Sequence, residues 1–194
     1  IYDSIIKSNP DNHQVRALIV YPMNALINSQ QQSLDTFLQN LPSSKVRFEQ
    51  YTGQTKQEDR ERILNDPPHI LLTNYVMLEY LLMRSNERQL LEQATQYLDF
   101  LVMDELHFYR GRQGADVAML MRRVAEKSGQ DIQYIGTSAT MTTEGNRDDR
   151  RKAVAGVATT QFGVQVEPEN VVDETLQRVS ELSVPSGNML IDAV

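Results

Sequence analysis

The sequence predicts an α/β fold in which helices cover both faces of a parallel sheet. Short apolar runs rich in β-branched residues alternate along the chain with longer segments of helical period. These runs are continuously apolar, as in strands that are buried on both faces of a parallel sheet. Alternating strands and helices joined by right-handed crossovers bring the carboxyl ends of all strands to one edge. Because ligands of such sheets bind at that edge, the loops that follow the strands are the expected location of the chemistry.

Five apolar runs are the predicted strands, and the helical segments lie between them. The strands are Ala17–Tyr21, Val46–Tyr51, His69–Thr73, Phe100–Met103 and Ile132–Gly136. The helices are Asn24–Asn40, Lys56–Leu64, Val76–Met83, Glu87–Gln96 and Asp116–Lys127. The last helix has an apolar stripe at helical spacing. Ile1–Ser8 is expected to end a helix, and Lys152–Thr160 to form a short one after the polar segment Thr142–Arg151. From Phe162 onward we expect a strand-like piece and a connecting helix.

Composition limits the possible functions. The 194 residues are 40% hydrophobic and 23% charged, which suits one globular domain, and no run approaches the ~20 apolar residues of a membrane helix. No cationic, apolar leader opens the chain, so we expect no cleaved export signal. The chain has no cysteine, which excludes disulfides and thiolate metal sites. The net charge of −7 argues against nucleic-acid binding through a general positive field, so any such contact must be local.

Polar residues follow the first and third predicted strands. Pro22 and Asn24 follow the first strand, where a proline favours a helix start whose free N–H groups can bind a phosphate. Thr73 and Asn74 end the third, and their hydroxyl and amide groups suit either a helix cap or a phosphate contact. Taken alone, an ordinary helix start is the better interpretation of each site.

Two adjacent carboxylates, Asp104 and Glu105, follow the fourth strand, with His107 close behind. Carboxylates at the end of a buried strand are costly unless a charged group lies near them. A hydrated Mg²⁺ on nucleotide phosphates is the usual occupant, and the second carboxylate can then orient a water molecule. A solvated loop is the alternative, and His107 by itself is more often structural.

Small hydroxyl residues, Gly136-Thr137-Ser138-Ala139-Thr140, follow the fifth strand and could hydrogen-bond these carboxylates or His107. Alone this is a weak signal. The set of four sites is stronger than its parts, because all four share one edge of one sheet.

Together these motifs resemble those of DExH-box superfamily 2 helicases. Asp104-Glu105-Leu106-His107 matches the Walker B motif, and Ser138-Ala139-Thr140 matches motif III. The segment YPMNAL resembles motif Ia, and the turn Tyr51-Thr52-Gly53 lies where the family has its Ib-like turn. Thr73-Asn74 resembles the later strand-binding motif of the same domain. The run DELHFYRGRQGADVAMLMRR is similar to that of YprA/MrfA-type bacterial DNA helicases and their large relatives in defence and repair systems. The likeness extends from about residue 15 to about residue 178.

The resemblance implies a RecA-like domain of the P-loop NTPase type over residues 1–178, with 179–194 as a linker toward a second RecA-like domain. It implies ATP and Mg²⁺ as cofactors, nucleic acid as partner with DNA favoured over RNA, and a cytoplasmic protein without membrane contact. Asp104 would hold Mg²⁺ through water and, with Glu105, form part of the nucleotide site. As catalytic residues, Glu105 would position the attacking water, and His107 would sense the nucleotide together with Ser138 and Thr140.

The resemblance also implies a nucleic-acid interface made by Pro22, Asn24, Thr73 and Asn74, which would lie along the phosphates of one strand. Helix starts and backbone amides bind phosphates through dipoles, which answers the objection raised by the net charge.

The sequence departs from the family at the phosphate-binding loop, since no G-x-x-x-x-G-K-[ST] occurs in the 194 residues. We expect that loop upstream of Ile1, a fold incomplete at its N-terminus, a parent protein that hydrolyses ATP and a segment that is inactive by itself. The alternative is a degenerate RecA-like module that binds nucleic acid or a protein partner without turnover. A motor subunit of a restriction or phage-defence complex would have the same local chemistry.

Overall fold

The computed structural model of the protein describes residues 1–8, 11–40, 45–84, 88–129, 131–139 and 146–173. Its strands are β1 (Ala17–Tyr21), β2 (Phe48–Tyr51), β3 (Ile70–Asn74), β4 (Phe100–Met103) and β5 (Gln133–Gly136). Its helices are α1 (Tyr2–Ser8), α2 (Asn24–Gln39), α3 (Gln57–Asn65), α4 (Tyr75–Met83), α5 (Arg88–Gln96), α6 (Gly111–Ser128) and α7 (Arg147–Phe162). Single 3₁₀ turns lie at Leu106–Phe108 and Pro168–Asn170.

The strands form one parallel sheet in the order β2-β3-β1-β4-β5, as the sequence predicts. The register aligns Tyr21 at the end of β1 with Asn74 at the end of β3. On the other side of the sheet, Met103 at the end of β4 is aligned with Gly136 at the end of β5. All carboxyl ends therefore meet at one edge, which is the arrangement on which the predicted site depends.

Both faces of the sheet are covered by helices, which confirms the predicted α/β architecture. On one face Leu18, Leu71 and Leu101 are fully buried in a core to which α3, α4, α5, α6 and α7 contribute. On the other face the alternate strand residues pack with Ile5 of α1 and Ile27 of α2. Full burial of each such aliphatic side chain contributes about 1.5–3 kcal/mol.

The two outer strands differ from the prediction that every strand is buried on both faces. In β5, Gln133 and Gly136 are exposed, and Tyr134 and Ile135 are only half-buried. In β2 only Tyr51 is fully buried. Both strands lie at sheet edges, where a neighbour is present on one side only, and their predicted bounds differ from the observed ones by one or two residues at the amino end. The bounds of β1 and β4, which lie inside the sheet, are as predicted.

Two helices are longer than predicted because their first turns are polar. The helix α6 begins at Gly111 rather than at Asp116. The helix α7 begins at Arg147, within the stretch expected to be polar and charged. A capping box starts it: the Asn146 side chain accepts a hydrogen bond from the Asp149 N–H (2.9 Å), and the Asp149 carboxylate accepts one from the Asn146 N–H (3.3 Å).

The strand-like piece expected after Phe162 is wrong for the described residues 163–173, which contain a 3₁₀ turn and no strand. Asp173 accepts hydrogen bonds from Arg147 (2.9 Å) and Arg151 (3.0 Å), so this segment follows α7 instead of joining the sheet. Thr140, the connecting helix expected further on and the linker at 179–194 lie outside the described residues. Across the part of the chain that the structure describes, no helix combines the length and the apolar character needed to cross a membrane.

Gly114 lies where α6 packs against the preceding loop. A Cβ atom there would lie 2.5 Å from the carbonyl oxygen of Tyr109 and 2.8 Å from its carbon, closer than packed atoms can approach. We expect Gly114→Ala to lower the free energy of unfolding by about 1–3 kcal/mol, because the backbone must shift. Denaturant midpoints measure the change.

Gly156→Ala in α7 is the matched control, because a Cβ at this helical glycine meets nothing within 4 Å. There we expect stabilisation of about 0.5–1 kcal/mol from the lower helix cost of alanine. Equal stabilisation by both substitutions would contradict the close contact at Gly114.

Candidate nucleotide and nucleic-acid sites

The acidic motif begins where β4 ends. The Asp104 N–H donates to the Val20 carbonyl (2.9 Å) and so extends the ladder between β4 and β1 by one residue. The next residue, Glu105, has a left-handed backbone with φ 55°, the only positive φ of a non-glycine among the described residues. Such a conformation costs on the order of 1–3 kcal/mol and is kept where neighbours fix it, often at functional sites. The strained backbone therefore marks Glu105 as a residue with a required position.

Thr137, the first residue after β5, connects both carboxylate residues. Its hydroxyl donates to the Asp104 carboxylate and accepts a hydrogen bond from the Glu105 N–H (3.1 Å). Its carbonyl accepts the Leu106 N–H (2.8 Å), and its N–H donates to the Met103 carbonyl (3.1 Å). Sequence reasoning noted the hydroxyl residues of this loop without assigning Thr137 to the site, although its place beside the end of β4 was a usable signal.

His107 contacts both the acidic motif and the loop after β5. Its Nδ1 atom lies 3.1 Å from the Glu105 Oε2 atom, 3.3 Å from the Ala139 nitrogen and 3.4 Å from the Ser138 Oγ atom. The Ala139 N–H can donate only to an unprotonated Nδ1, whereas a hydrogen bond to Glu105 requires a protonated one. His107 therefore has two alternative hydrogen-bonding states. Ser138 lies against His107, while Thr140 lies outside the described residues.

Two buried tyrosines lie within electrostatic reach of Asp104. Burial raises the pKa of the Tyr21 phenol, and the negative charge of Asp104 raises it further. The pKa of the Tyr109 phenol is raised by burial, then by Asp104 and by Tyr75. Both phenols therefore stay neutral at physiological pH.

An open groove lies at the same edge, beyond β1, β2 and β3. Its lining residues are Pro22, Met23, Asn24, Gly53, Asn74, Val76, Met77 and Tyr80. At its centre the Asn74 amide donates to the Asn24 Oδ1 atom (2.5 Å). The Asn74 Oδ1 atom accepts the Met77 N–H (2.7 Å) and so caps α4. The structure thus brings Pro22, Asn24 and Asn74 together at the starts of α2 and α4.

Thr73 does not line this groove. Its side chain is fully buried, and its hydroxyl donates to the Tyr51 carbonyl (2.7 Å), which ties β3 to β2. Successive side chains of a strand point to opposite faces, so Thr73 and Asn74 cannot both point to the same surface.

The carboxylates of Asp104 and Glu105 are the oxygen ligands that Mg²⁺ prefers. The described residues contain no cluster of three or more histidine, cysteine or acidic side chains suited to a metal. A cation here would therefore be held mainly by water and by ligand phosphates, which is the usual state of Mg²⁺ in nucleotide sites. The residues present fit the metal side of such a site, and the 194 residues contain no phosphate-binding loop of the G-x-x-x-x-G-K-[ST] type.

Four features together define the RecA-like class of helicase domain. They are the parallel sheet, the carboxylate pair after β4, the histidine that contacts the loop after β5, and the groove after β1 and β3. A sequence model of the DEAD/DEAH box helicase family matches residues 1–148, and the chain belongs to this family.

Known relatives agree with this assignment. The chain is 32% identical over 147 residues to an uncharacterized ATP-dependent helicase of Methanocaldococcus jannaschii, covering 73% of the chain and 21% of that relative. It is 29% identical over 140 residues to the ATP-dependent helicase YprA of Bacillus subtilis, covering 71% of the chain and 18% of YprA. The crystal structure of the DUF1998 helicase MrfA bound to DNA and AMPPNP is similar with a TM-score of 0.68 and 25% identity, over 84% of the chain and 21% of MrfA. The predicted YprA/MrfA-type resemblance is confirmed, and the chain spans about a fifth of the length of these proteins.

Thr137→Val removes the hydroxyl that joins Asp104 to Glu105 and keeps the shape of the side chain. We expect it to lower the free energy of unfolding by about 0.5–1.5 kcal/mol, because the Glu105 N–H and the Asp104 carboxylate each lose a partner. Thr137→Ser, which keeps the hydroxyl, should lose distinctly less. Thermal unfolding of both variants measures the difference, and a larger loss in Thr137→Ser than in Thr137→Val would show that the methyl group, not the hydrogen bonds, stabilises this edge.

Proposed function

We propose that this chain is the first RecA-like motor domain of an ATP-dependent helicase or translocase that acts on nucleic acid, with DNA as the preferred substrate. The observation that carries the proposal is the junction of β4 and β5. There Thr137 bridges Asp104 and Glu105, and His107 contacts both Glu105 and Ser138. A carboxylate pair that is hydrogen-bonded to a neighbouring strand in this way suits a site that activates water. The same contacts can pass the occupancy of the site on to the loop after β5.

The residues of the junction have distinct roles in this proposal. Asp104 would hold Mg²⁺ through water, and Glu105 would orient the attacking water and accept its proton. Bound ATP with Mg²⁺ supplies the phosphoryl group and the charge that neutralises its oxygens. His107 reports the occupancy of the site to Ser138 and Thr140, because its Nδ1 can serve Glu105 or Ala139 but not both at once.

The groove binds the sugar-phosphate backbone of one strand in this proposal. Pro22 and Asn24 lie at the start of α2, and Asn74 caps α4, so the positive ends of two helix dipoles face the groove. Thr73 has an indirect role, because its hydroxyl fixes the end of β3 to β2. The relative MrfA has been solved with DNA bound, and this supports DNA over RNA as the ligand.

Residues 1–178 form the motor domain in this scheme, and 179–194 connect it to a second RecA-like domain that completes the nucleotide site. We infer a cytoplasmic protein. Repair and defence roles both fit the same local chemistry.

The second candidate is a RecA-like module that binds nucleic acid or a protein without turnover. This candidate requires that the full-length protein has no G-x-x-x-x-G-K-[ST] loop. Nucleic-acid-stimulated ATP hydrolysis by the full-length protein separates the two. Hydrolysis supports the motor, whereas nucleic-acid binding without hydrolysis supports the module.

Glu105→Gln removes the proton acceptor and nearly keeps the side-chain shape. In the full-length protein we expect stimulated ATP hydrolysis to fall about 100-fold or more, since general-base catalysis contributes at least that much. Glu126→Gln on the exposed face of α6 is the matched control and should leave the rate unchanged. Steady-state phosphate release measures both, and full activity of Glu105→Gln would refute the assignment.

Asn24→Ala tests the groove. It removes one polar group at the start of α2, and we expect nucleic-acid affinity to fall about five-fold, equivalent to one net hydrogen bond of about 1 kcal/mol. Asn28→Ala, one turn further along α2 and exposed, is the control. Fluorescence anisotropy with labelled single-stranded DNA and RNA measures affinity and preference together. Equal affinities of the two variants would place the strand elsewhere.

A further inference from the structure

Tyr75 lies between the groove and the segment that carries the acidic motif, the two sites to which the proposed function assigns different ligands. It is the first residue of α4 and directly follows Asn74, which lies in the groove. Its hydroxyl accepts a hydrogen bond from the Gln113 side chain (2.7 Å) in the first turn of α6. Its ring packs edge-on against the Tyr109 ring, with centroids 6.2 Å apart and planes at 89°. Gln113 and Tyr109 both belong to the segment that starts with the acidic motif.

That segment, residues 104–114, is held as one unit. The Tyr109 carbonyl accepts a hydrogen bond from the Gln161 side chain of α7 (3.1 Å). Gly114 packs against the same carbonyl so closely that a Cβ would lie 2.5 Å from its oxygen. Nearer the carboxylates, the Phe108 N–H donates to the Glu105 carbonyl (2.9 Å). Because Gly114 leaves no space at the Tyr109 carbonyl, a displacement at Tyr109 is passed along the segment toward Glu105 rather than absorbed.

Tyr109 is the buried link in this connection. Its side chain is 2% exposed, and its hydroxyl is buried without a hydrogen-bond partner among the described residues. Both Asp104 and Tyr75 act electrostatically on that hydroxyl. Contacts thus run from Asn74 in the groove through Tyr75 to Tyr109, whose hydroxyl lies within electrostatic reach of Asp104.

We propose that Tyr75 is a positioning residue that couples occupancy of the groove to the placement of Glu105, through its hydrogen bond to Gln113 and its ring contact with Tyr109. The inference rests on the proposed function and adds a means of regulation to it. A strand bound at Asn24 and Asn74 fixes the first turn of α4, and Tyr75 then fixes the segment that follows Asp104. The element that responds is the strained Glu105 backbone, whose N–H and carbonyl are both held by neighbouring residues.

Tyr75→Phe in the full-length protein tests the coupling, because it removes the hydroxyl and keeps the ring. We expect nucleic-acid-stimulated turnover to fall about five-fold, the equivalent of one net hydrogen bond. Unstimulated turnover, nucleic-acid affinity and the thermal midpoint should stay within about two-fold or a few degrees of the unmodified protein. Gln113→Leu should give the same pattern, and the double variant should be no worse than either single one, since both remove the same bond.

Tyr97→Phe, at an exposed position just after α5, is the matched control and should change none of these quantities. Several results would overturn the coupling: normal stimulation in Tyr75→Phe, an equal fall in unstimulated turnover, weaker nucleic-acid binding, or additive losses in the double variant. Failure of the proposed function looks different. In that case the unmodified protein itself shows no hydrolysis or no stimulation, and the coupling falls with it.

Discussion

The parallel pairing of β4 with β1 on one side and β5 on the other determines which residues are neighbours at the acidic edge of the sheet. Met103 is aligned with Val20 and with Gly136, so the residues that follow, Asp104 and Thr137, are necessarily neighbours. A shift of one residue in this register would turn each side chain of β4 to the opposite face of the sheet. The bridge made by the Thr137 hydroxyl is therefore a consequence of the packing of the buried strands, and the stability of the core and the geometry of the site have one cause.

The same pairing makes the left-handed backbone of Glu105 tolerable. Its N–H is held by the Thr137 hydroxyl, and its carbonyl accepts the Phe108 N–H (2.9 Å), so both of its peptide groups are fixed from outside the residue. Strain of this kind persists only where the surroundings determine it. Contacts with the 3₁₀ turn and with β5 offset the cost of this strain. They hold the Glu105 carboxylate in a defined place next to His107.

The parts of the fold that the sequence predicted depend on local patterns and topology. Fully apolar β1 and β4 were located residue by residue, and the meeting of Ser138 with His107 followed from the parallel order. Lower burial of β5 could not be predicted, since it depends on which strand is outermost. Alternation along β3 should have separated Thr73 from Asn74, because their side chains point to opposite sides. Tyr75 and Gln113 are 38 residues apart in the chain and lie on different helices, so no local pattern indicates their contact.

The two ends of one sheet edge differ in charge, which is compatible with the proposed contact between phosphates and a domain of net charge −7. On the β4 and β5 side, two carboxylates face any ligand, so an anion can approach only with a cation between them. On the β1 and β3 side lie the positive ends of the α2 and α4 dipoles, which in the proposed function attract an anionic backbone. In the proposed function an anionic strand is repelled from one half of the edge and attracted to the other, and β1, which pairs with both β3 and β4, lies between them. The local charge at each end of the edge, and not the total charge of the domain, decides where an anionic strand can bind. An acidic net charge is therefore compatible with the proposed nucleic-acid groove.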